Sequence, residues 1–215
     1  MTTNPSGARS ARQSLVPLAS FTAAYILAAV AGAALAGNRE FTFYIVVMLA
    51  LIAVVMIVHR RMPLTHGQLW ALSAWGMLHM AGGLVPVPAS LPINGTIRVL
   101  YSLWLVPGVL KYDQIVHAYG FGVTTWICWH AVRSQLRAPD GTEPSPSAGL
   151  MILAAAGGMG FGALNEVIEF IAVLTIPNTN VGGYENTGWD LVSNLAGCTA
   201  AGLLIRRAWV KQRRS

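Results

Sequence analysis

The chain has 215 residues, of which 54% are hydrophobic and only 10% charged, with a mean hydropathy of +0.55 and a net charge of +6. A soluble domain is ordinarily about 25% charged, and so few charges could not cover the surface of one this size. The composition therefore excludes a soluble enzyme, a disordered chain and a disulfide scaffold. It leaves one integral membrane domain over residues 1–215. The positive charge is mostly arginine, 12 Arg against 2 Lys. These residues sit between apolar runs and read as topology signals, so no nucleic-acid partner is expected.

A spanning helix needs about 20 apolar residues. Six runs of about that length follow one another at 15–36, 41–58, 68–87, 113–132, 148–176 and 188–205. A shorter stretch, 97–110, holds Arg98, Tyr101, Trp104 and Pro107 and reads as an interfacial or re-entrant helix. The predicted fold is all-α: a polytopic bundle of six transmembrane helices plus that short helix. Arg9, Arg12 and the Ala34-Leu35-Ala36 triplet imitate a signal peptide. The apolar stretch between them is about twice the usual length, so an uncleaved first helix is expected. Residues 133–147 form the one clear polar linker. Cys128 and Cys198 fall inside helices, which argues against a structural disulfide.

Basic residues set the orientation. Arg9, Arg12, Arg60, Arg61, Arg133, Arg137, Arg206, Arg207, Lys211, Arg213 and Arg214 fall on one side, and only Arg39, Arg98 and Lys111 on the other. Eleven against three predicts cytoplasmic termini and an even number of spans.

A charge at membrane depth costs at least ~2.5 kcal/mol and so needs a reason. With a rise of 1.5 Å per residue, the topology gives every polar group a depth. His79 falls roughly 18 Å from the inner end of the third helix and His117 about 6 Å below the outer surface. Glu166 and Glu169 occupy the last turns of the fifth helix, and Asp190 opens the sixth, with Asn194 one turn deeper. All lie in the outer half. Asp113 and His117 are i and i+4, as are Asp190 and Asn194, while Glu166 and Glu169 are i and i+3, so each pair shares a helix face. Tyr112-Asp113, His117 and Gly120 also match Trp189-Asp190, Asn194 and Gly197. That match suggests duplicated hairpins with the two aspartates near a pseudo-twofold axis.

Two imidazoles and four carboxylates suit one or two divalent metals, zinc or iron. The candidate ligands are His79, Asp113, His117, Glu166, Glu169 and Asp190, with Glu166, Glu169 and Asp190 as catalytic candidates. Asn165, Asn194, Arg98 and Glu185 are candidates for substrate contact. A metal-free proton-binding site and a hydrogen-bonded structural network are the competing readings. Arg98 and Lys111 suit either a lipid phosphate or simple interface anchoring. Tyr184 and Glu185 lie in an outer loop, 178–187, that either caps the site or is ordinary loop. Gly157, Gly158, Gly160 and Gly162 imitate a dinucleotide fingerprint, but no strand precedes them. Close helix packing is the better account of Gly158 and Gly162.

The pattern Asp113-x-x-x-His117, Glu166-x-x-Glu169 and Asp190-x-x-x-Asn194-x-x-Gly197 resembles the VanZ-like and YjdF-like bacterial inner-membrane proteins. The resemblance covers roughly 113–197 together with the hydropathy profile. Gln114 stands where the VanZ-like pattern often has Lys, and Glu169 where it often has Gln. His79 lies outside that pattern, so the match leans to the YjdF-like branch. The resemblance implies a six-helix cell-envelope protein with a functional acidic site, and supplies no reaction. The leading expectation is a metal-dependent inner-membrane enzyme, a hydrolase or transferase or a di-iron oxidative enzyme. It would act on a lipid or lipid-linked envelope substrate from the periplasmic or external side. The alternatives are a small proton-coupled transporter or lipid flippase, and a non-catalytic envelope or antibiotic-tolerance protein.

Overall fold

The computed structural model describes residues 5–214, with side chains from Leu15 onward. The side chains of Arg9 and Arg12, used above for orientation, lie outside the described residues. Among the described residues there are six α-helices: α1 (Pro5–Ala36), α2 (Arg39–Arg61), α3 (His66–Leu84), α4 (Tyr112–Gln135), α5 (Ala148–Thr175) and α6 (Tyr184–Gln212). Two short strands, β1 (Trp104–Val106) and β2 (Leu110–Lys111), precede α4. Three helical stretches are long and apolar enough to cross a membrane: Leu15–Ala36, Arg39–Arg61 and Ala148–Thr175. α3, α4 and α6 are also long, but their polar residues dilute their apolar character.

Local chemistry sets the helix ends. The Asn38 side chain accepts from Phe41 N–H at 3.0 Å and starts α2. Thr65 and Gln68 form a reciprocal capping box at the start of α3. Ser147 caps α5 by accepting from Leu150 N–H at 3.4 Å. At α4, the buried Gln114 side chain reaches back to accept from Lys111 N–H at 2.8 Å.

Two expectations are corrected. Residues 97–110 form a single 3-10 turn, Leu100–Ser102, followed by the antiparallel β1–β2 hairpin, and not an interfacial helix. Pro107 and Gly108 occupy the corner, Gly108 has φ +71°, and Val109 N–H donates to Val106 O at 3.0 Å. That is a type II turn, where proline fixes the first corner and glycine permits the positive φ of the second. The second correction is at α6, which begins at Tyr184. Tyr184, Glu185 and Asn186 are therefore helical and not part of a loop.

Contacts between helices give the topology. Along α4 and α6, His117 meets Asn194 and Phe121 meets Cys198 at the same sequence separation of 77, so these helices run parallel and in register. α5 runs against both: Glu166 faces His117 and Gly157 faces Cys128, while Gly162 faces Asn194 and Gly158 faces Cys198. α1 is parallel to α3 (Phe21 on Trp70, Thr22 on Ser73). α2 opposes α3 (Tyr44 on His79, Phe41 on Gly83), and α3 opposes α4 (Ala71 with Tyr119, Leu78 with Tyr112). All six alternate in direction. The starts of α2, α4 and α6 and the ends of α1, α3 and α5 thus gather at one end of the bundle.

Glycines close the α4–α5–α6 core. A Cβ at Gly197 would fall on the Ala118 carbonyl, and one at Gly158 would meet Thr125, Cys198 and the Phe121 carbonyl. Small residues let helix backbones approach this closely where no hydrophobic effect pulls them together. Buried Ala29, Ala33, Phe41, Tyr44, Ile45 and Met80 form a second cluster between α1, α2 and α3.

Candidate functional site

The tight α4–α6 seam brings the polar residues of three helices together just above it. The His117 ring is 4% exposed, and its Nδ1 donates to Asn194 Oδ1 at 3.1 Å. An amide oxygen only accepts, so this contact uses a proton on Nδ1 and leaves Nε2 turned toward Asp113. Nε2 lies 3.6 Å from Asp113 Oδ1, one turn back on α4. From α5, Glu166 Oε1 stands 3.9 Å from Nδ1. Two groups of donor atoms share this imidazole: Asp113, His117 and Asp190 in one, His117, Glu166 and Glu169 in the other. Within each group the ligand atoms lie within 4.8 Å of one another.

The surrounding polar groups hold these side chains in place. Asn186 Nδ2 donates to Asp190 Oδ2 at 2.5 Å, and Asn165 Nδ2 donates to Glu169 Oε1 at 2.8 Å. Lys111 Nζ lies 3.7 Å from Asp113 Oδ2 and donates to Asn186 Oδ1. Both Glu166 carboxylate oxygens, Asp190 Oδ1 and Asn194 Nδ2 are buried without a hydrogen-bond partner. Asp190 and Asn194 are both 0% exposed. A buried carboxylate without partners is costly, and such groups in a folded protein call for an explanation. Four carboxyl groups here face one ammonium and one imidazole. That deficit of positive charge needs a further cation or bound protons.

The structure does not bring every sequence-derived candidate into this cluster. Asp113, His117, Glu166, Glu169, Asp190, Asn165 and Asn194 converge. His79 belongs to neither donor group; its Nδ1 is bonded to the Tyr101 hydroxyl at 2.5 Å, and the Tyr44 ring packs edge-on against it. Gly82 makes room for Tyr101, since a Cβ there would collide with its ring. Burial, reinforced by the charges of Asp113 and Glu169, holds the Tyr101 hydroxyl well above its ordinary pKa. Arg98 is committed to its own loop, donating to the carbonyls of Val87 at 3.1 Å, Pro88 at 2.5 Å and Leu91 at 2.6 Å. Glu185 is exposed in the first turn of α6.

Three participants were not assigned to the site from sequence. Lys111, which from sequence suits a lipid phosphate or interface anchoring, is 5% exposed beside Asp113. Asn186 carried a legible signal, being one helical turn before Asp190, but was placed in a loop. Glu40 is 8% exposed and accepts from Asn180 N–H at 2.9 Å, tying the start of α2 to the α5–α6 connection. Beside the cluster lies a cavity of about 360 Å³, lined among others by Arg39, Tyr44, Tyr101, Asp113, Glu169 and Asn186.

Fold and site together define a membrane helix bundle with a histidine-centred acidic cluster at one end. Residues 17–211 match the family described as "Predicted membrane protein (DUF2238)", and the chain belongs to that family. No curated protein and no solved structure matches the chain.

Proposed function

We propose that the protein is a six-span inner-membrane enzyme with cytoplasmic termini. Its site would bind a divalent metal and act on a lipid or lipid-linked envelope substrate from the periplasmic or external side. The observation that carries this reading is the placement of His117. Its Nδ1 is hydrogen-bonded to Asn194 Oδ1, its Nε2 faces Asp113, and the ring forms a compact donor set with Asp113 and Asp190. A histidine ligand whose other nitrogen is held by a protein acceptor is the usual arrangement at metal sites. Three protein ligands leave a position open for water or substrate, as in catalytic zinc sites. Zinc or iron suits imidazole with carboxylates.

When bound, such a metal would supply an activated water and polarise a phosphoryl or carbonyl oxygen. The chain's own residues would do the rest. Glu166, its carboxylate buried beside His117, is positioned to accept a proton. Asn165 holds the orientation of Glu169, and Asn186 that of Asp190. The Lys111 ammonium beside Asp113 offsets part of the cluster's negative charge. The adjoining cavity, about 360 Å³, is of a size for a headgroup and not for acyl chains.

The alternation of helix directions supports an even number of crossings. At the end opposite the site, Arg60, Arg61, Arg133, Arg137, Arg206 and Arg207 face Arg39, Arg98 and Lys111 at the site end. That balance favours an outward-facing site. The likeness to VanZ-like and YjdF-like proteins supports the envelope setting. The glycine seam packs α4, α5 and α6 closely beneath the cluster, which disfavours the transporter alternative.

The test is turnover. Purified protein in proteoliposomes is incubated with a bacterial envelope lipid extract and the products are followed by mass spectrometry. The expected result is a time-dependent product that disappears with chelator and in His117→Ala, and returns when zinc or iron is added to the chelated wild type. Proton-driven uptake without any chemical change would favour the transporter.

A further inference from the structure

At the end of the bundle opposite the acidic cluster, the structure holds a second and larger cavity of about 530 Å³. It lies between the start of α3, the last turns of α4 and α6, and the 143–146 segment. Its buried parts include Gln68 and Trp129, at 0% and 6% exposure, and Pro146. Its rim carries Arg133, Arg213 and Trp126.

Gln68 gives the cavity a built polar point. Its Oε1 is used in the α3 capping box, accepting from Thr65 N–H at 2.9 Å. Its Nε2 is buried without a hydrogen-bond partner. A fully buried amide donor is normally satisfied. This one lines a cavity large enough to hold an acceptor.

The charge around it favours an anion. Arg133 and Arg213 are the cations that line the cavity, with Glu143 the acid among its lining residues. Arg133 Nη1 pairs with Glu143 Oε2 at 3.3 Å, and Arg137 pairs with the same carboxylate. Arg213 stacks on the Trp209 ring, 4.3 Å from its centroid, which keeps the guanidinium at the mouth. Glu143 thus occupies the place that an exogenous anion would take on Arg133. It is held on the α4–α5 connection, 136–147, by exposed ion pairs of the kind worth little individually. Aromatic walls, basic rim groups and a buried amide donor suit an amphiphile with an oxyanion head.

We propose that this cavity is a binding site for the headgroup of an anionic phospholipid, one with no cationic group to offset its phosphate, distinct from the acidic cluster, with Arg133 and Arg213 on the phosphate and Gln68 Nε2 as the buried donor. Glu143 acts as the internal competitor: headgroup binding displaces it from Arg133.

The test is native mass spectrometry of the full-length protein in a neutral detergent, titrated with phosphatidylglycerol, phosphatidylcholine or glycerol 3-phosphate. Phosphatidylglycerol is expected to be retained at least tenfold better than phosphatidylcholine. Arg133→Gln combined with Arg213→Gln should remove that preference. Glu143→Gln should raise phosphatidylglycerol retention severalfold, and this variant keeps the fold because its ion pairs are exposed. Competition by millimolar glycerol 3-phosphate would assign the site to the phosphate itself; no competition, with the preference intact, would assign it to the lipid. Equal retention of the two lipids by the wild type, or a Glu143→Gln variant that binds phosphatidylglycerol no better, would overturn the proposal.

Discussion

Replacing Gly197 with alanine would set a methyl group onto the Ala118 carbonyl, where α4 and α6 are closest. A flexible side chain could swing away from an added methyl; a backbone carbonyl cannot. The two helices must separate, and the His117–Asn194 hydrogen bond one turn away must lengthen with them. Overpacking of this kind costs about 3 kcal/mol at the upper end of its usual range, and alanine's better helix propensity returns about 1 kcal/mol. The net loss expected is about 2 kcal/mol. Gly160 supplies the control, because a Cβ there meets nothing within 4 Å. Gly160→Ala should be neutral or stabilising by up to about 1 kcal/mol. Gly162→Ala is intermediate: its Cβ would press on the Asn194 amide, which can move, so the site should suffer more than the stability. Thermal unfolding in detergent, followed for the three variants side by side, reads the order directly. If Gly197→Ala melts with Gly160→Ala, the close α4–α6 approach is wrong, and so is the placement of His117 against Asn194.

Glu166→Gln and Asp190→Asn each remove a like charge from the crowded cluster, so both should melt at or above the wild-type temperature while losing turnover; a large loss in both would favour a structural network. Lys111→Met should do the reverse, costing about 3 kcal/mol because Asp113 loses its buried cation, as seen by thermal unfolding. His59→Ala should leave metal uptake unchanged yet cost about 1 kcal/mol, since His59 Nδ1 accepts from Leu64 N–H at 3.0 Å. Reporter fusions after Arg137 and after Val210 should report a cytoplasmic location and one near Asn180 an external one; an external signal from the C-terminal fusion would reverse the orientation.

Much of the site was legible because it is written in helical spacing. Asp113 with His117 and Asp190 with Asn194 share faces through the i, i+4 relation alone. The sequence offset between those two pairs reappears in space, where His117 touches Asn194 and Phe121 touches Cys198 at a separation of 77. What escaped depends on contacts distant in sequence. His79 has the residue type and the depth of a ligand, but the Tyr101 ring, seated over Gly82, takes its Nδ1. Nothing in the spacing of Lys111 marks it as buried; its burial follows from how the hairpin folds against Asn186. Sequence leaves Arg98 open to a lipid phosphate or to interface anchoring because its carbonyl partners lie in a loop whose path no periodicity reports. Pro107-Gly108 was visible as a break, yet it is a hairpin corner between two short strands and not an interruption of a helix.

The proposed function requires that the His117 cluster hold a divalent metal. The most direct measurement is the metal content of the intact protein purified in detergent without chelators, by elemental analysis, followed by zinc and iron(II) titration of the stripped protein at two pH values. At least one equivalent of a first-row divalent metal is expected, lost in His117→Ala. Metal ligation needs the imidazole neutral and the carboxylates ionised, so protons compete with the metal and affinity should fall at least tenfold from pH 8 to pH 6. Protein that is metal-free as isolated and takes up neither zinc nor iron at either pH would contradict the claim and leave bound protons to balance the four carboxyl groups.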